Sequence, residues 1–144
     1  MNRLVVLDSG VAAKWYLPRT HEPLAEEAVS LLRQNAANEL DFLVPDFFFV
    51  ELANIFWKAA RLKRWSDHSA RQALRAAESY SLPSVPAKDL LDDALQIALA
   101  TERTVYDSVY VALAIRAGGE FVTADERLAN AIGSAFPVKW LGLC

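Results

Sequence analysis

Leu4-Val5-Val6-Leu7-Asp8-Ser9-Gly10 sets an unbroken apolar run against an abrupt polar stop. Apolar residues without alternation read as a strand buried on both faces, the kind found inside a parallel sheet. The stop leaves a carboxylate at the strand's carboxyl end. Phe42-Leu43-Val44, closed by Pro45, and Phe121-Val122-Thr123, leading into Asp125, repeat the pattern, and residues 138–141 read as a last strand. The intervening segments have helical spacing. Residues 11–17 form a first helix, and residues 21–35 a second, with Leu24, Ala28, Leu31 and Leu32 on one face. Asp46 is expected to cap a long helix over 47–64, and Ser66 or Asp67 another that reaches Tyr80. Pro83 and Pro86 make 81–87 an extended connector with a short strand around Val85. Helices are then expected over 89–101, over 104–118 with Gly118 or Gly119 as the stop, and from Asp125 to near Gly133. Strands alternating with helices define an α/β chain with a largely parallel sheet.

The chain has 144 residues, 53% of them hydrophobic and 23% charged, which suits one folded domain over 1–144 with a single core. Its formal charge is −3, unusual for a nucleic-acid binder. Cys144 is the only cysteine, so no intramolecular disulfide can form, as suits a reducing compartment. The N-terminal apolar run is too short for a signal peptide, and no stretch has the roughly 20 apolar residues of a membrane span. The expectation is a soluble cytoplasmic protein.

In parallel α/β folds the active crevice lies beyond the carboxyl ends of the strands. Four acids fall there: Asp8 after the first strand, Glu51 early in the helix after the second, Asp107 in the first turn of the helix near Thr104, and Asp125 after Phe121-Val122-Thr123. Asp8, Glu51 and Asp107 are set in strongly apolar sequence, where an unpartnered carboxylate is costly. If the four converge, each close pair repels by roughly 4 kcal/mol at an effective dielectric near 20. A hard divalent cation, Mg²⁺ or alternatively Mn²⁺, is the economical counterweight. His21 and His68 lie far from the acids in sequence and no His/Cys cluster exists, so zinc fits poorly. Taken singly, each acid has a plainer use: Asp8 could open a turn, Glu51 complement a helix dipole, Asp107 complete a capping box with Thr104, and Asp125 act as an N-cap. Their joint position at one sheet edge is what carries the functional reading.

The chain resembles PIN domains and, within them, the VapC toxins. The matching blocks are Val5 to Asp8; Val11-Ala12-Ala13-Lys14-Trp15-Tyr16-Leu17-Pro18; Val44-Pro45-Asp46 through Glu51-Leu52-Ala53-Asn54; Thr104-Val105-Tyr106-Asp107-Ser108 through Ala114; and Phe121-Val122-Thr123-Ala124-Asp125-Glu126-Arg127-Leu128. The resemblance implies a three-layer α/β/α fold with a mainly parallel sheet. It also implies Asp8, Glu51, Asp107 and Asp125 around one or two Mg²⁺ ions that activate water against an RNA phosphodiester. A small antitoxin that binds DNA and blocks the site is implied as partner, with a homodimer. DNA would then be met only through the antitoxin. One departure stands out: the family usually has a small residue and then Ser, Thr or Asn after the first Asp, whereas here Ser9 precedes Gly10. If Ser9 continued the strand, its side chain would point elsewhere. Thr123 matches a position expected to support the fourth acid, or serves simply as a strand residue.

No Ser-based covalent route is expected, since neither Ser9 nor Ser108 has a nearby His base. Without the four acids the formal charge rises from −3 to +1, so part of the acidity is the site itself. Lys14, about one turn beyond Asp8, is a candidate for an RNA phosphate, as are Lys58, Arg61, Lys63 and Arg64, though a solvated helix face is the better explanation of that cluster. Of the large rings Trp15, Tyr16, Phe47, Phe48, Phe49, Phe56, Trp57 and Trp65, most are core candidates; Trp57 and Trp65 flank the basic residues and read as an interface for an antitoxin helix or a second copy. The competing readings are a non-catalytic binding module on the same fold and a DNA nuclease with the same acids. An Asp-nucleophile phosphatase is disfavoured, because Gly10 stands where a second Asp is wanted.

Overall fold

The computed structural model describes residues 2–144, the side chain of His21 excepted. Five parallel strands form one sheet: β1 (Arg3–Leu7), β2 (Leu40–Pro45), β3 (Ser84–Val85), β4 (Glu120–Thr123) and β5 (Val138–Trp140), in the order β3-β2-β1-β4-β5. The helices are α1 (Ser9–Ala13), α2 (Ala25–Ala36), α3 (Phe48–Arg61), α4 (Asp67–Ser79), α5 (Leu91–Thr101), α6 (Val105–Ala117) and α7 (Glu126–Ile132). Single 3₁₀ turns lie at Arg19–His21, Ala87–Leu90 and Leu141–Leu143. No helix among the described residues is long and apolar enough to cross a membrane.

Both faces of the sheet are covered, which is why the β1 run needs no polar alternation. Val5 and Leu7 join Phe42, Val44, Phe48, Leu52 and Phe56 in a core under α1 to α4. Val6, one pleat out of phase, joins Val109, Leu113, Phe121, Leu128 and Val138 under α5 to α7. The expected α/β/α sandwich is therefore present, and the expected mainly parallel sheet is parallel at every pairing.

Several boundaries moved for local reasons. Asp8 ends β1 and at once caps α1, its side chain accepting from Gly10 N, so α1 starts at Ser9 rather than Val11 and ends by Ala13. Pro23 and the left-handed Leu24 (φ 61°) delay α2 to Ala25. Pro45 is the last residue of β2 and costs no bond toward β3, because the N–H groups that donate there are those of Val44, to Pro83 O, and Asp46, to Val85 O. Asp46 does not cap α3; Phe47 holds the N-cap position, and the Asp46 carboxylate accepts from Ala87 N at 3.0 Å, tying the start of α3 to the segment after β3. Ser66 caps α4, and Thr104 and Gly118 bracket α6 as expected.

The strand order places β1 at the centre with β2 on one side and β4 on the other. The connections out of β1 and β4 leave in opposite directions, which opens a crevice at their carboxyl ends. Asp8 leaves β1 at that point, and Thr123 and Ala124 leave β4 beside it.

Candidate active site

Asp8 is half-buried in the crevice and held from three sides. Thr123 Oγ1 donates to Oδ2 at 2.8 Å, Ala124 N reaches the same oxygen at 3.4 Å, and Gly10 N donates to Oδ1 at 3.3 Å. All three donors are neutral. Burial pushes the carboxyl above the usual Asp range, these donors oppose the rise, and the charge of Asp107 adds to it.

Glu51, in the first turn of α3, is half-buried across the crevice. Its Oε1 accepts from Ser9 Oγ at 3.3 Å and from the hydroxyl of Tyr110. Burial raises its pKa first, and the charges of Asp8 and Asp107 raise it further. Asp107 enters from α6, whose first turn is organised by Thr104, its Oγ1 accepting from Asp107 N at 3.1 Å. Its carboxyl is also raised, by burial and then by Asp125, while Thr104 and Arg103 pull the other way. Asp125 is exposed. It caps α7 through Oδ1, which accepts from Leu128 N at 3.1 Å, and its own N donates to Thr123 Oγ1 at 3.0 Å. The capping reading of Asp125 is thus realised, and its charge still faces Asp107.

The four acids, scattered across the sequence, therefore sense one another at a single sheet edge, and none of them is ion-paired among the described residues. The donor set is all carboxylate, which suits a hard divalent cation and not zinc. His68 is exposed on α4, and the His21 side chain lies outside the described residues. As the side chains stand, no group of three or more His, Cys, Asp or Glu among the described residues is close enough to hold an ion. The chemistry of the donors fits Mg²⁺ or Mn²⁺; closed coordination is not formed.

Lys14 is corrected. It is buried, 6% exposed, and its Nζ pairs with Glu22 Oε1 at 3.0 Å, so it has no free ammonium to offer a phosphate. Helix α1 is too short to carry Lys14 past the core: it sits at the C-cap and turns inward. Ser9, a candidate for substrate contact or support, opens α1 instead of extending β1, so the condition under which its side chain would point elsewhere is not met and its hydroxyl faces Glu51 in the crevice. Thr123 supports Asp8 through its hydroxyl hydrogen and Asp125 through its lone pair, so its reach is wider than the fourth acid.

Two residues near the acids were missed in the sequence. Tyr110 is one helical turn after Asp107, a spacing that puts both on one side of α6, and that was the available signal. Arg103, two residues past the end of α5, is the cation whose charge opposes the rise in the Asp107 pKa. Of the aromatics singled out, Trp15 and Trp65 face inward, their Nε1 atoms donating to Ala28 O at 2.8 Å and Phe56 O at 3.1 Å. Trp65 is thus half-buried against the core instead of freely exposed. Trp57 is 56% exposed, with the Arg61 guanidinium over its ring at 5.2 Å. Lys58 and Arg61 are exposed in the last turn of α3, about 10–15 Å from Glu51 by helical rise, and Lys63 and Arg64 are exposed just past its end.

The PIN domain family model matches residues 5–133. Over 128 residues the chain is 35% identical to Ribonuclease VapC3 of Pyrobaculum aerophilum, covering 88% of this chain and 92% of that protein. Its fold is similar to the crystal structure of PAE2754 from Pyrobaculum aerophilum, with a TM-score of 0.67 at 23% identity over 99% of this chain and 94% of the other. It is also similar to a chain of a toxin–antitoxin complex from Klebsiella pneumoniae, with a TM-score of 0.60 at 14% identity over 96% of each chain.

Proposed function

This chain belongs to the PIN-domain family, and from that premise we propose that it is a metal-dependent endoribonuclease, the toxin of a toxin–antitoxin pair acting in the cytoplasm. The observation that carries the reading is the meeting of Asp8, Glu51 and Asp107, from three separate elements, at one half-buried edge: burial raises the pKa of each, Asp107 adds to the rise of Asp8, Asp8 and Asp107 add to that of Glu51, and among the described residues no lysine or arginine is ion-paired with them. The ribonuclease relative supports the substrate class. We take 1–144 as one nuclease domain.

In this reading Asp8 and Asp107 hold the principal Mg²⁺ or Mn²⁺, and Glu51 and Asp125 complete that site or a second one. Bound there, such an ion polarises a phosphate oxygen and lowers the pKa of a water. The protein's part is positional. Thr123, Ala124 and Gly10 fix both oxygens of Asp8, and the Thr104 cap fixes the turn that bears Asp107. Ser9 is committed to Glu51 and no histidine among the described residues stands beside it, so it is not set up as a nucleophile.

Two surfaces support the partners. Helices α3 and α4 leave an apolar groove lined by Ala53, Phe56, Trp57, Ala60, Ala70 and Leu74, with Asp67 and Arg71 at its rim. This suits an apolar helix face of an antitoxin, through which DNA would be met. The complex containing the Klebsiella pneumoniae relative supports that kind of partner. On α5, Leu91, Leu95 and Leu99 are 47%, 49% and 75% exposed along one stripe. Two such helices, antiparallel about Leu95, set Leu91 against Leu99 and Lys88 against Glu102, which supports a homodimer.

Purified protein is expected to cleave single-stranded RNA with Mg²⁺ or Mn²⁺ and to stop with EDTA. Undiminished cleavage after Asp8→Ala or Asp107→Ala overturns the assignment. Metal-free inertness with no Mn²⁺ binding leaves a non-catalytic module, and cleavage of DNA alone leaves a DNA nuclease.

A further inference from the structure

We propose, resting on the reading of Glu51 as part of the carboxylate site, that Tyr110 is a positioning residue: with Ser9 it pins one oxygen of Glu51 and so presents the other to the crevice. Both hydroxyls donate to the same atom, Oε1, Ser9 from 3.3 Å and Tyr110 through a short bond. Among the described residues no hydrogen bond reaches Oε2. The carboxylate is therefore asymmetric, one oxygen tied to the fold and one open.

Tyr110 is built to hold its place. It is 2% exposed, and its ring stacks on Phe121 with centroids 4.9 Å apart and planes at 15°. Phe47 meets it edge-on at 5.6 Å and 87°. Phe121 belongs to β4 and Phe47 immediately precedes α3, so the phenol is fixed against both the sheet and the helix that bears Glu51. Only the O–H rotor remains free. A phenol is protonated at neutral pH and so is a donor there. Ser9, 5% exposed at the start of α1, is the second donor.

The need for such a pin follows from the electrostatics. Glu51 has a flexible side chain, is desolvated, and is repelled by Asp8 and Asp107. Left alone, it lowers its free energy by swinging toward solvent, away from the other acids. Two neutral donors on one oxygen oppose that swing without cancelling the charge that a cation requires.

Tyr110→Phe removes the hydroxyl and keeps the ring. Two readouts on the purified full chain test it: ¹³C relaxation of the Glu51 methylenes in metal-free protein, and Mn²⁺ binding followed by electron paramagnetic resonance without RNA. We expect Glu51 to become mobile and Mn²⁺ to bind about tenfold more weakly, the scale on which groups that orient metal ligands act. Ser9→Ala, read the same way, is expected to show a smaller shift of both, and stands in should Tyr110→Phe fail to fold. A purely structural tyrosine lowers the melting temperature alone; Glu51 order and Mn²⁺ affinity as in the parent overturn the inference. If the parent binds no Mn²⁺ at all, the nuclease reading falls, and the methylene measurement still decides whether Tyr110 pins Glu51.

Discussion

At the amino ends of the strands Glu120 pairs with Arg3 at 3.4 Å and Asp41 accepts from Asn2 Nδ2 at 3.3 Å, all four residues at or near the surface. At the carboxyl ends Asp8 and Glu51 receive, among the described residues, only neutral donors, are half-buried, and face one another and Asp107. The same residue types thus occupy both edges of one sheet. One edge satisfies its acids with partners of opposite charge or ready solvation, and the other accumulates repulsion. An exposed pair such as Arg3–Glu120 is worth little to stability. The unneutralised edge costs stability, and a fold retains such an edge where charge is to be used.

The comparison can be broken most sharply by removing one acid from each edge. Asp8→Ala is expected to lower metal-dependent RNA cleavage by about 10²–10³-fold, the few kcal/mol that a metal-held oxygen contributes. Glu120→Ala should leave cleavage within twofold or so. Equal losses, read by initial rates on a labelled single strand, erase the distinction between the edges. Lys14 tests the opposite case, a charge fully committed to the fold. Lys14→Met leaves Glu22 without its partner and is expected to cost about 3 kcal/mol in urea unfolding, while the folded variant keeps its metal dependence. Loss of cleavage at unchanged stability would return Lys14 to the substrate.

Smaller effects sharpen the comparison. Thr123→Val removes the closest donor to Asp8 and is expected to weaken Mn²⁺ binding about tenfold with the fold intact. The smallest effect is a matter of pH. Because Asp107 has a folded pKa above its ordinary 3.8, the folded state holds its proton longer than the unfolded chain does. Its contribution therefore favours folding in acid and is lost as pH rises through that window. Asp107→Asn should then raise the melting temperature of metal-free protein at neutral pH, with the gain vanishing below the ordinary value of 3.8. A lower melting temperature at neutral pH, in calorimetry with EDTA present, would show that the repulsion is already relieved.

Much of the architecture was legible in single residues. The β1 run, the Ser66 and Thr104 caps and the Gly118 stop each act within a few residues, so their effect is written locally. The boundaries that moved did so where two local signals compete. Asp46 has a capping residue's chemistry, but the neighbouring Ala87 N–H claims its carboxylate from a segment forty residues on. Leu24 in the left-handed region overrides an otherwise continuous helical pattern.

By itself the sequence determined the α/β alternation and put acids at the strand ends, because hydrophobic period and capping chemistry are short-range properties of the chain. Only the tertiary structure decided what each polar side chain faces. It gave Lys14 to Glu22, Ser9 and Tyr110 to one oxygen of Glu51, and Thr123 to both Asp8 and Asp125. The reason is physical: a hydrogen bond or a Coulomb coupling depends on distances of a few ångströms between residues up to a hundred or more positions apart, and such distances exist only once the sheet has set them.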